Sequence, residues 1–360
     1  MFESEILIEG DGLGAWGAAA ILAQKGFRVT VAGGGNPPFA SRVLALSWPS
    51  CELLKSFGLW DKSLEHDPIE AIWVGEKGRS EAKFFSREIF LPLWGFCVEY
   101  APLLALFQKV ARAFGAQEFG ADKLFFEEKG GWVWAKDERG KTAALASLAI
   151  CTRAPEKGVF LYSDPLLYFH CEAKRQDNTA FEHFSRDFSL VLLPQGEGYT
   201  CLLTLNKEKS LDILSMGQED FLFWLSGIFP PSAPCPLRTS EKHLYHPCLF
   251  LGKRRQGKKI LYLGDGWHRM HPALAQGFNL AIRDLRWLVG EGPPWKDVTS
   301  RFAQDRQKDV LLTAMTSHLG ACAVAPRSFL SPLRSAGLEA LLPFPFAWRF
   351  FLSRLSWGWE

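Results

Sequence analysis

The chain has 360 residues, 48% of them hydrophobic and 22% charged, with a formal net charge of +2. That balance excludes a nucleic-acid polycation, and 32 Gly with 21 Pro is too few for a low-complexity chain. Its length suits two domains or one large one.

In chain order, residues 5–31 predict a βαβ unit. Residues 5–9 read as a strand, Gly10 to Gly14 as a turn, 15–24 as a small-residue helix stopped by Gly26, and 28–32 as a second strand. Residues 33–38 read as a loop, 47–59 as a helix and 69–74 as a strand. A helix is predicted over 101–114, with Leu103, Leu104, Phe107 and Val110 on one face. From 122 to 262 the pattern is strand-like, with a hairpin at Gly196-Glu-Gly198 and a single helix over 219–228. A strand over 259–263 ends at Gly264-Asp265, and helices follow over 276–289 and 297–318, with two more in the tail. Glu3 and Glu5 stand where a signal peptide would be basic, and no apolar run reaches the ~18 residues of a spanning helix. The eight scattered cysteines form no C-x-x-C pair. A cytoplasmic protein is expected, with peripheral attachment to the inner face of a membrane as a further expectation.

Two motifs carry chemistry. Gly10-x-Gly12-x-x-Ala15 follows a strand and opens a helix, as in a dinucleotide fingerprint. The first Gly makes the turn, the second admits a pyrophosphate, and the small third residue packs helix on strand. Gly33 stands where the acidic residue that holds the adenosine ribose should end the second strand, and no Asp or Glu beside it in the sequence takes its place. The alternative is a glycine turn that only packs. The second motif runs from Gly264 to Asp284. A strand-end carboxylate, Asp265, can accept sugar-type hydroxyls, and a loop through His271-Pro272 leads to a helix starting near Gln276, Gly277 and Asn279. Backbone N–H groups at such a helix start favour negative charge. His268 with His271, and His243 with His246, lack a clear carboxylate and read as structural, so no metal is expected.

The second motif resembles that of the flavin-dependent aromatic hydroxylases, and within them the ubiquinone-biosynthesis hydroxylases. Gly264, Asp265, His268, His271, Pro272, Gln276, Gly277, Asn279 and Asp284 match it in order and spacing. The likeness extends to Ser41 through Ser47, Phe57 through Trp60, Pro68-Ile69, Arg301 through Ser317 and the Leu/Pro-rich tail, and is weakest from about 140 to 250. It implies an α/β fold: a Rossmann-type FAD-binding domain with an inserted β-rich substrate domain and C-terminal helices. The expected boundaries are 1–70, 90–150 and 258–325 for the FAD domain, 71–89 and 151–257 for the substrate domain, and 326–360 for the tail. It implies FAD held by Gly10, Gly12, Ala15, Arg42, Asp265, Pro272, Gln276, Gly277 and Asn279, with Arg42, Pro272 and His271 at the reacting centre. It further implies NAD(P)H as co-substrate, O2, and a hydrophobic aromatic substrate of the polyprenylated quinone-precursor class. Ala101 stands where the family places a long polar side chain, and 149–154 departs from its mid-chain Gly-Ala-Asp-Gly segment. Together with Gly33, these departures leave a second reading open: a non-catalytic relative that binds lipid or a protein. An NAD-dependent dehydrogenase is a poorer third.

On a helix, Trp348, Phe351, Leu352, Leu355 and Trp359 share one stripe, with Arg349, Ser353 and Ser356 opposite. Such a helix suits a membrane surface. The alternatives are docking on the body, a homodimer contact or a contact within a biosynthetic complex.

Overall fold

The computed structural model describes residues 2–33, 42–76, 81–121, 123–155, 157–175, 177–252, 258–293, 295, 297–327 and 345–359, with side chains from 349 onward in the last segment. Residues 34–38 of the predicted loop, the first of the two predicted tail helices and the Trp348 side chain lie outside the described residues.

Phe2–Glu9 runs at the centre of a seven-stranded sheet, parallel to Val29–Ala32 on one side and Thr142–Cys151 on the other. Gln117–Phe119 extends the sheet beyond Val29–Ala32, and Ile260–Tyr262 lies parallel to the end of Thr142–Cys151. A parallel sheet is covered on both faces, so its strands are continuously apolar rather than alternating. Ile6, Leu7 and Ile8 are accordingly all buried. The start of Thr142–Cys151 turns antiparallel to Trp132–Lys136, which pairs with Phe125–Lys129.

The helices are α1 (Leu13–Gln24), α2 (Trp48–Ser56), α3 (Tyr100–Ala113), α4 (Lys207–Ser215), α5 (Gln218–Ser226), α6 (Gln276–Val289), α7 (Val298–Val324) and α8 (Pro345–Trp357). Helix α1 lies against α3 and α6. Its small residues permit this: a Cβ on Gly17 would stand 2.7 Å from Leu285 Cδ1 and 3.3 Å from the Phe107 ring. Helix α4 is unpredicted from periodicity, yet it carries a start signal, since the Asn206 side chain accepts from the Lys209 N–H at 2.9 Å.

An eight-stranded sheet forms the second layer. Its order is Pro236–Thr239, Leu166–Ala173, Gly198–Leu205, Phe188–Gln195, Thr179–Phe184, Ala71–Glu76 and Glu81–Phe85, with His243–Tyr245 also on Leu166–Ala173. The single strand predicted over 69–74 is two elements. Asp67–Ile69 belongs to a small sheet with Gly95–Glu99 and Val43–Ser47, whereas Ala71–Glu76 joins the large sheet.

The C-terminal helix is docked on the body. Leu352 packs with the core cluster of Val43, Ile69, Trp94 and Ala180. The Ser47 hydroxyl donates to Ser356 O at 3.1 Å, and Gln276 Nε2 donates to Leu355 O at 3.0 Å. The predicted stripe therefore does not face outward as a unit. Leu352 and Leu355 point inward, while Phe350 and Trp357, outside the stripe, are exposed together with Phe351. A buried ionic network pins the chain's last residues. Asp309 binds Arg283 Nε at 2.7 Å and Arg306 at 2.7 Å, and accepts the Trp359 N–H at 2.9 Å. Arg306 continues to Asp284 at 3.1 Å, and Asp284 to His268 Nε2 at 2.6 Å.

Candidate active site

The glycine loop sits where the first strand meets α1. Gly10 has φ +133°, and a Cβ there would lie 2.1 Å from Thr152 Oγ1, so only glycine makes this turn. Thr152 follows Thr142–Cys151 and ties back through N–H and hydroxyl bonds, both 2.9 Å, to Glu9 O. It stands in the segment where the resemblance predicted Gly-Ala-Asp-Gly. Gly12 precedes α1, whose first backbone N–H groups receive no side-chain cap from Gly12; Ala15 is buried.

Tyr100 is the residue that sequence reasoning passed over in favour of Ala101. It is buried at the start of α3, its hydroxyl bonds the Leu13 backbone, and it would lie 3.1 Å from a Cβ on Gly12. Its N–H donates to Arg42 O at 2.9 Å, and the Arg42 guanidinium lies 4.1 Å from its ring centroid. Burial raises the Tyr100 phenol, which Arg42 opposes; the Asp265 charge also reaches it. Glycine loop, Arg42 and Asp265 thus converge on one side chain. Arg42 Nε is buried without a hydrogen-bond partner. Asp265 is exposed on a turn after Ile260–Tyr262 and faces Arg269.

Position 33 differs from its sequence reading. A Cβ on Gly33 would lie 3.1 Å from Gly10 O and 3.1 Å from Asp11 Cβ. The backbone leaves little room for a longer residue, and an acid does stand beside the site, on the glycine loop itself. Asp11 is half-buried, and among the described residues no hydrogen bond or ion pair engages it.

The ring-side loop is held from three directions. Asn279 accepts the Ser47 N–H at 3.0 Å and donates to Ala45 O at 3.0 Å and Ala275 O at 2.7 Å, so its role is to fix the loop against the small sheet. Gln276 joins Leu274 O to the tail. Ala275 has φ +51° and ψ +26°, a left-handed conformation that costs a non-glycine residue about 1–2 kcal/mol. Nothing lies within 4 Å of a Cβ on Gly277, leaving space over the N-terminus of α6. His271 caps the turn at Pro272–Leu274, accepting the Ala273 N–H through Nδ1 at 3.1 Å, and meets the Tyr162 ring edge-on at 4.8 Å. Burial, then the nearby His318, pushes its pKa down to about 4, so it is neutral at pH 7. His268 and His271 are engaged separately by Asp284 and by backbone, and no metal-type cluster occurs among the described residues.

This loop, the small sheet, α8 and one face of the large sheet enclose a cavity of about 480 Å³. Its walls are mainly aliphatic and aromatic, among them Ile72, Val74, Trp94, Leu193, Met270 and Leu355.

A parallel nucleotide-type sheet, a glycine turn into α1 and an open space over the start of α6 beside an apolar cavity together make a fold seen in solved FAD-dependent monooxygenases. Solved structures share it along the chain. p-Nitrophenol 4-monooxygenase PnpA from Pseudomonas putida matches with a TM-score of 0.77 at 15% identity over 100% of both chains. PqsL from Pseudomonas aeruginosa, described as a probable FAD-dependent monooxygenase, matches at 0.76 and 15% identity over 94% of this chain and 100% of its own. Aklavinone-11 hydroxylase, solved with FAD and aklavinone, matches at 0.67 and 16% identity over 92% of this chain and 71% of its own. Curated relatives in sequence include ubiquinone hydroxylases. The 3-demethoxyubiquinol 3-hydroxylase of Escherichia coli is 27% identical over 324 residues, 79% of this chain and 78% of that protein. The ubiquinone hydroxylase UbiM of Neisseria meningitidis is 26% identical over 307 residues, 78% of this chain and 66% of that protein. No protein-family model matches the chain.

Proposed function

We propose that this protein is an FAD-dependent monooxygenase that hydroxylates an aromatic quinone precursor of the ubiquinone type, with NAD(P)H and O2 as co-substrates. The observation that carries the reading is the open space over Gly277, bounded by a loop that Asn279 holds rigid and continuous with an apolar cavity. FAD, when bound, supplies the O2 chemistry for which no side chain is equipped.

The residues present suit that cofactor. The N-terminus of α1 takes the pyrophosphate, with Gly10 and Gly12 admitting it closely. Asp265 accepts hydroxyls of the ribityl chain. Arg42, with its Nε unpartnered, faces the same cleft. Asp11 supplies, toward the adenosine ribose, the carboxylate that Gly33 lacks. The first N–H groups of α6 favour negative charge on the ring, and neutral His271 adds no competing charge. The aliphatic walls exclude water and take the hydrophobic substrate. In this reading, 1–70, 90–150 and 258–325 serve the cofactor, 71–89 and 151–257 serve the substrate, and α8, from the 326–360 tail, closes the site.

The same substrate class supports a reading in which the protein works at a membrane surface. Phe350, Phe351 and Trp357 give α8 an exposed aromatic edge, with Arg354 stacked 5.3 Å from the Phe350 ring. No helix among the described residues is long and apolar enough to cross a bilayer. Co-sedimentation with anionic vesicles tests this: the parent should pellet, and a Phe350→Ser, Trp357→Ser variant of unchanged melting temperature should not.

For the main reading, the visible absorbance of protein purified in the presence of FAD is decisive. The two-banded spectrum of oxidised flavin is expected in the parent and weakened in Asp265→Ala. A colourless parent that takes up no added FAD would overturn the assignment.

A further inference from the structure

The cavity described above carries one carboxyl group among its described lining residues, and nothing in the fold calls for it. Strand Thr179–Phe184 alternates faces. Phe181 and His183 point to the far side, where Phe181 meets Trp73 and Tyr199, and His183 Nδ1 bonds Ile228 O at 2.9 Å. Ala180, Glu182 and Phe184 therefore point into the cavity. The directly paired neighbours of Glu182 are Val74 on one side and Val191 on the other, both cavity-lining. A β-branched apolar residue would fit the position better than an acid.

The carboxyl has no hydrogen bond or ion pair among the described residues. Burial alone acts on it and pushes its pKa up to about 7. Two hydroxyls extend the polar spot. Ser189 pairs with Phe184, two residues beyond Glu182 on the same face, and Thr204 pairs with Ser189 on the next strand. An otherwise apolar wall thus bears one small polar patch with an unsatisfied acid at its edge. Glu182 is half-buried, its carboxyl open to the cavity, and an acid held among apolar walls without a partner destabilises a fold, so its partner is sought in what the cavity holds.

We propose that Glu182 orients the substrate by accepting a hydrogen bond from a phenolic hydroxyl on its ring, while the apolar walls hold the ring's hydrocarbon substituent. This rests on the monooxygenase reading of the cavity and names the ring group that the cavity selects. A carboxylate is a strong acceptor for such a donor, and a donor in contact favours its ionised form. A methyl ether of the same ring offers no proton and leaves the acid unpaired, which is the kind of mismatch that polar pockets reject most strongly.

The test is binding of 2-octylphenol and 2-octylanisole to the FAD-loaded full chain, read by tryptophan fluorescence, in the parent, Glu182→Gln and Glu182→Leu. The parent should bind the phenol about ten- to a hundredfold more tightly than the ether. Glu182→Leu should bind both alike and melt higher than the parent, since it removes an unpaired acid. Glu182→Gln should keep an intermediate preference, because its carbonyl still accepts. A parent that binds the two alike or binds neither, or a Leu variant that keeps the preference, overturns the inference. Flavin absorbance in the same samples separates the two levels. A parent loaded with FAD yet indifferent to the hydroxyl refutes the role of Glu182 alone, whereas a parent that takes up no FAD refutes the functional reading.

Discussion

Replacing Asp309 by Ala removes the hub of the buried network. Its carboxylate holds Arg283 and Arg306, each at 2.7 Å, and the Trp359 N–H at 2.9 Å, with all three charged side chains less than 5% exposed. Burial alone would raise the Asp309 carboxyl; Arg283, then Arg306, outweigh it and hold it below the usual range. The substitution strips both buried guanidinium groups of the carboxylate they share. Breaking one buried pair costs about 3–5 kcal/mol. Unfolding entropy of about 2.1 cal/mol/K per residue gives about 0.8 kcal/mol per kelvin for a chain of this length, so the melting temperature should fall by about 4–7 °C. Calorimetry at pH 7 measures it. Truncation after residue 357 serves as the comparison, since it deletes the Trp359 bond but keeps both arginine pairs. It should cost no more than about 1.5–3 kcal/mol from that bond. An Asp309→Ala protein melting within about 1 °C of the parent would refute the reasoning, because unpaired buried charge cannot be that cheap.

Other outcomes follow from the site. Asp11→Ala should weaken FAD binding, measured by flavin fluorescence titration, whereas Gly33→Glu should not tighten it, because its Cβ meets Gly10 O and Asp11 at 3.1 Å. Tighter binding by Gly33→Glu would show that the loop gives way there. Ala275→Gly should stabilise the fold by about 1 kcal/mol in chemical denaturation, by relieving a left-handed alanine. His271, with its pKa lowered from 6.5 to about 4, is neutral in the fold and protonates more readily when unfolded. Its contribution is full above pH 6.5 and lost as pH falls toward 4, up to about 3 kcal/mol. His271→Leu should flatten that part of the stability-versus-pH curve, and an unchanged slope would count against a neutral buried imidazole.

Local and periodic features were legible in the sequence. The turn at Gly10 must be glycine, the small residues after it must lie under other helices, and the spacing from Asp265 to Asn279 is a strand end, a loop and a helix start. These depend on neighbours within about twenty residues, so pattern and backbone chemistry determine them. What only the tertiary structure decided involves partners far apart in the chain. Asp11 comes to lie beside Gly33 because two parallel strands end side by side, and Asn279, expected from the resemblance to line the cofactor, also clamps Ala45 and Ser47, more than 230 residues away. The tail's stripe predicts an amphipathic helix but not which surface covers it; packing turned Leu352 and Leu355 inward and left Phe350 and Trp357 outside. Alternation along Thr179–Phe184 sets Glu182 opposite Phe181 and His183, yet which face is core and which is cavity depends on where the small sheet, the ring-side loop and α8 close over it. Periodicity specifies a face; only the packing of distant elements specifies what that face meets.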